Sequence, residues 1–250
     1  MYLGIKKPQE IEKAAQAGHL LVYDIEGLEL ENPSLVTDTT REAAYKKEIS
    51  LRIGQAIGGF QYGVKLRKGS YEDSIHALQD AEKRITEANA KQYQIDYSIL
   101  ETTIQKIIQI VSQNFTGSIA LLSYLENSSI DVSEYKQEIK QNLPSNQKQY
   151  VNEELCLARR TAKNLRRTYK NDTDIIGGLE QSLKELYKFS SDVDISTEIN
   201  EIKNIAYRRG VEFIVTKAQE YLSTKPKKAK QLLEKAAKNA KILEKYSPLG

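Results

Sequence analysis

The chain has 250 residues, 40% of them apolar and 28% charged, and carries a formal net charge of +3. That length buries a substantial core as one large or two smaller domains, and the balance is that of a folded, soluble globular protein. No run of about 18 apolar residues exists, no apolar leader follows Lys6, Lys7 and Glu10, and there is one cysteine. A membrane span, a signal peptide and an internal disulfide are therefore not expected, and the cytoplasm is the expected location.

In chain order, residues 8–30 read as one helix with Ile11, Ala15, Gly18, Val22 and Ile25 on one side, stopping before Asn32 and Pro33. Thr39 with Glu42 makes a capping-box start for the next helix. In it Ile53, Ile57, Phe60 and Val64 recur at helical spacing. Gly54, Gly58, Gly59 and Gly63 form two pairs four residues apart. Each glycine costs about 1 kcal/mol relative to alanine inside a helix, so close packing of a neighbouring helix is expected against them. The segment 68–73 turns the chain, with Gly69 suited to a left-handed residue and Ser70 capping with Asp73. An antiparallel helix follows, with Ile75, Leu78, Ala81, Ile85 and Ala88 on its inner face.

Gly69, Tyr71, Ser74, Ile75, Leu78 and Ala81 resemble the second helix of a tetratricopeptide repeat, and Gly63 and Leu66 fit its first helix with the loop one residue short. A second partial match, over residues 218–236, comprises Ala218, Tyr221, Ala229, Leu233 and Ala236, with Pro226 where the pattern has tyrosine. The resemblance implies a short array of helical hairpins that binds a protein partner and carries no catalytic site. An irregular helical bundle has the same local pattern.

Farther along, Ser98 with Glu101 starts the most apolar helix, with Leu100, Ile104, Ile107, Ile108 and Val111 as its core stripe. Shorter helices are expected over 118–126 and 133–143. Residues 142–146, interrupted by Pro144, mark the candidate boundary between an N-terminal region, 1–143, and a C-terminal region, 144–250, or else an ordinary turn within one domain.

The next helix, 147–170, carries Val151, Leu155, Ala158, Ala162, Leu165 and Tyr169 on one face. Arg159, Arg160, Lys163, Arg166, Arg167 and Lys170 form a basic side with no acidic residue between Leu155 and Asn171. The sign then reverses: residues 172–201 hold eight acidic side chains against Lys184 and Lys188, and 225–245 hold eight lysines against Glu234 and Glu244. Two readings follow. Acid and base can face each other across neighbouring helices, or the stretches 159–170 and 225–245 can present cations to phosphate backbones.

Cys156 projects toward that basic side, where cations favour a thiolate, though a lone cysteine usually serves as a small side chain. His19 and His76 fall on different helices, no metal-ligand spacing is present, and no cofactor is implied. Fifteen tyrosines and no tryptophan suit helix boundaries and interfaces. The expectation is an all-α protein of antiparallel helical hairpins. Its expected role is a non-catalytic protein-binding or assembly module, with nucleic-acid association or service as an oligomeric structural subunit as the alternatives.

Overall fold

In the computed structural model the described residues are 7–66, 70–130, 132–165, 177–190 and 194–246. They form ten α-helices, a one-turn 3-10 helix at Pro33–Leu35, and no strand. The helices are α1 (Pro8–Ala17), α2 (Val22–Glu31), α3 (Asp38–Lys65), α4 (Glu72–Ala90), α5 (Ser98–Val111), α6 (Phe115–Asn127), α7 (Ser133–Lys163), α8 (Gly177–Lys188), α9 (Ser196–Tyr221) and α10 (Pro226–Glu244). The contacts divide into two compact units, Met1–Pro144 and Ser145–Gly250.

The first helix expected, over 8–30, is two. Gly18 adopts φ +81°, a left-handed conformation open to glycine, and its amide closes α1 by donating to Ala15. The chain then re-enters a helix at Val22, where the Asp24 carboxylate accepts the Leu21 amide at 2.9 Å. The start of α3 also moves: Thr37, rather than Thr39, caps it, accepting the Thr40 amide at 3.2 Å. Asn114 performs the same service for α6, accepting from the Gly117 amide at 2.7 Å.

Unit 1 is organised around α3, which touches α1, α2, α4, α5 and α6. Phe60 and Ile49 from α3, Leu78 and Ile85 from α4, Leu100, Ile104 and Ile107 from α5, and Leu121 and Tyr124 from α6 are all fully buried. Each such side chain contributes about 1.5–3 kcal/mol by leaving water. The expected antiparallel pairing of α3 with α4 is the most extensive helix contact of the unit. The residues expected to turn between them, Lys68 and Gly69, lie outside the described residues.

Where two helices were expected over 133–143 and 147–170, one helix, α7, runs from Ser133 to Lys163 with Pro144 inside it. A proline there removes one backbone hydrogen bond and crowds the preceding turn, at a cost of about 3 kcal/mol. The division between the units nevertheless falls at this residue.

In unit 2, Val151, Ala158, Ala162 and Leu165 pack with Leu179, Leu183 and Leu186 of α8 and with Ile199, Ile202 and Ala206 of α9. A smaller cluster, Ile214 and Ala218 against Leu232 and Ala236, joins α9 to α10. Alanine at these contacts lets the two helices run close together.

Candidate binding surfaces

Arg159, Arg160 and Lys163 lie on α7, whereas Arg166, Arg167 and Lys170 fall outside the described residues. Arg159 donates to Glu201 of α9 at 2.9 Å, an exposed ion pair that contributes about 0–1 kcal/mol. Arg160 and Lys163 are exposed and make no ion pair among the described residues. The acidic stretch supplies a partner for only one described cation of this face. Its Glu180 instead accepts the Tyr207 hydroxyl at 2.8 Å, and burial together with that bond pushes the Tyr207 phenol well above its ordinary value.

On α10 the buried positions are Ala229, Leu232 and Ala236, which leaves Lys227, Lys230, Lys238 and Lys241 outward and exposed. Among the described residues none of the eight lysines from Lys225 to Lys245 forms an ion pair with a carboxylate. Lys228 and Lys225 instead lie over the Tyr221 ring, 4.6 and 5.8 Å from its centre.

The four glycines of α3 divide into two kinds. A methyl group on Gly63 falls 2.5 Å from the Tyr71 ring, and one on Gly59 collides with Ser74, so this pair forms the close approach to α4. Gly54 and Gly58 have open space where a side chain would project. They lie between Leu51 and Tyr62, which are 44% and 63% exposed, so the steps from 51 to 54, 58 and 62 trace one outward face. Helix α2 repeats this arrangement on a smaller scale, with Tyr23 80% and Leu30 88% exposed on either side of Gly27, whose position is also open. The sequence expectation of close packing holds for Gly59 and Gly63 and fails for Gly54 and Gly58. Local sequence does not separate the two pairs, because Gly59 and Gly63 meet Ser74 and Tyr71 only once α4 has folded back on α3.

A cleft of about 540 Å³ runs along α9, lined by Thr197, Asn200, Asn204 and Arg208 on one side and by Lys245 and Tyr246 at the end of α10. Asn204 holds that end in place by donating to the Tyr246 carbonyl at 3.0 Å, and the Tyr246 ring stacks on Tyr207 at 5.9 Å. Nothing in the local sequence points to this cleft, because residues 204 and 246 meet only through the α9–α10 hairpin. A second depression, of about 400 Å³ between Gln16 and Lys47, has its Lys46 neutralised by Glu42 at 2.6 Å.

Two buried carboxylates are fully engaged in holding helices together. Glu48 of α3 accepts the Val22 amide at 3.1 Å and Arg84 at 3.0 Å, joining α2, α3 and α4. Glu82 of α4 accepts from Tyr124, Ser128 and Ser129. Cys156 is exposed. Among the described residues no group of three or more His, Cys, Asp or Glu side chains is placed to hold a metal, and no helix is long and apolar enough to cross a membrane.

No protein-family model matches the chain, and neither a curated protein nor a solved structure is significantly similar to it.

Proposed function

We propose that the chain is a non-catalytic protein-binding or assembly module that engages a protein partner through the outward apolar faces of α2 and α3. The observation that supports this most is the open Gly54–Gly58 pair. Glycine inside a helix costs about 1 kcal/mol, and among the described residues no packing offsets that cost at these two positions. A partner backbone seated against them offsets it, with Leu51 and Tyr62 as anchors at the two ends of the contact. The tetratricopeptide-like pattern of the α3–α4 pair is consistent with the same role.

Leu51→Glu and Tyr62→Glu alter exposed side chains, so both variants are expected to keep the native helicity and melting curve. Partners recovered by the native chain at high salt should then be lost from both. Undiminished recovery with either variant argues against this face as the contact. A second copy in the partner's place makes the chain an oligomeric structural subunit, which sedimentation reads as a mass that rises with concentration.

The alternative is association with nucleic acid, favoured by the exposed lysines of α10, which form no ion pair with a carboxylate among the described residues. It predicts binding of a labelled oligonucleotide at low salt, with a salt dependence that becomes shallower in Lys227→Gln and Lys238→Gln. Failure to bind at low ionic strength ends that reading.

A further inference from the structure

We infer that the cleft along α9 is a binding site for a phosphomonoester group. The site is built from residues of unit 2 alone and shares none with the α2 and α3 faces of unit 1, so either can fail alone.

Charge is the first reason. The one carboxylate lining the cleft, Glu201, is engaged by Arg159 at 2.9 Å. Arg208 and Lys245 also line it, and neither has a carboxylate partner among the described residues. The cleft therefore offers about two uncompensated positive charges. A carboxylate or phosphodiester brings one negative charge, whereas a phosphomonoester brings about −1.5 to −2 near neutral pH.

Pre-organisation is the second. The exposed Arg208 directs one N–H to the Asn204 carboxamide oxygen at 3.3 Å and leaves the other donors of the fork for a ligand. The Asn204 amide in turn holds the Tyr246 carbonyl, so the same residue that accepts from Arg208 brings Lys245 to the cleft. Asn200 and Thr197 continue the wall toward the positive end of the α9 dipole with neutral donors. About 540 Å³ leaves room beyond the phosphate for the group that carries it, against Ile205.

A phosphomonoester can come from a phosphorylated side chain of a protein or from a small phosphorylated molecule. The test is a titration of the full chain, isotopically labelled, with phenyl phosphate, with a phosphoserine peptide, and with benzoate, methyl phenyl phosphate and the unphosphorylated peptide as controls. Amide shifts are followed by NMR. Saturable shifts confined to residues 197–208 and the end of α10 are expected with the monoesters, with markedly weaker responses to the monoanions. Arg208→Gln and Lys245→Gln should each weaken binding by about tenfold, the size expected for a charged hydrogen bond. Lys217→Gln, which removes a cation paired to Glu220 at 2.7 Å elsewhere on α9, should leave it unchanged. A response to phenyl phosphate alone identifies a small-molecule site, and a response to the phosphopeptide alone identifies a modified protein as the source. Shifts that do not saturate, that are equally strong with benzoate, or that survive both cleft variants overturn the assignment.

Discussion

Glu82 shows how much one side chain does in unit 1. Its carboxylate receives the Tyr124 hydroxyl at 2.8 Å, the Ser128 hydroxyl at 3.1 Å and both the amide and the hydroxyl of Ser129. Burial alone pushes such a carboxyl up, but these four donors outweigh it and hold Glu82 below the usual carboxylate range. The clamp therefore stabilises the fold fully above the unfolded-chain value of about 4.3 and loses that contribution as pH falls through the lower, folded value. Glu82→Gln should lower the melting temperature at pH 7 and flatten its decline between about pH 5 and pH 3, measured by circular dichroism. An unchanged acid limb in the variant would show that the clamp plays no part in acid stability.

The glycines of α3 give the opposite lesson at the same scale. Gly63→Ala drives a methyl into the Tyr71 ring, which also donates to Asn114 at 3.0 Å and so cannot move freely. A loss of about 1–3 kcal/mol is expected. Gly58→Ala meets open space and should gain about 0.5–1 kcal/mol in chemical denaturation through helix propensity alone. Equal effects at the two positions would contradict the assignment of one pair to packing and the other to an open surface.

At the scale of elements, the all-α class, the α3–α4 hairpin and the apolar stripe of α5 were legible from periodicity, because burial at every third or fourth residue follows directly from helix geometry. Breaks were less legible. Gly18 sits in an unbroken amphipathic pattern, and only its positive φ shows that the chain leaves the helix there. Pro144 presents the reverse case: a residue that normally ends a helix lies within α7, so the local rule predicted a turn where the chain stays helical. Capping positions moved by one or two residues, as from Thr39 to Thr37, because several neighbouring threonines can serve and the sequence does not say which.

At the scale of the whole molecule, both units leave apolar side chains exposed, Leu157, Leu222 and Leu233 among those of unit 2, and they differ in what else is outward. Unit 1 leaves apolar side chains and bare glycines outward on α2 and α3, while unit 2 leaves cations outward on α7 and α10. The alternation of charge along the sequence anticipated the second of these but not how little of it is cancelled. Acid and base can be counted from sequence, yet Arg159 with Glu201 is the one ion pair that joins the basic and acidic stretches among the described residues. The α9 cleft had no signature in sequence, since it depends on Asn204 reaching Tyr246 across 42 positions.

The most direct test of the protein-binding reading is site-specific photo-crosslinking in the native host, with the photoreactive residue placed at Tyr62 on the outward face of α3 and, as a control, at Lys83 on the exposed side of α4. The account predicts a discrete crosslinked protein from position 62, competed by the unmodified chain, and none from position 83. Crosslinks that are equal at both positions, or absent from position 62 while the chain is folded, would contradict it.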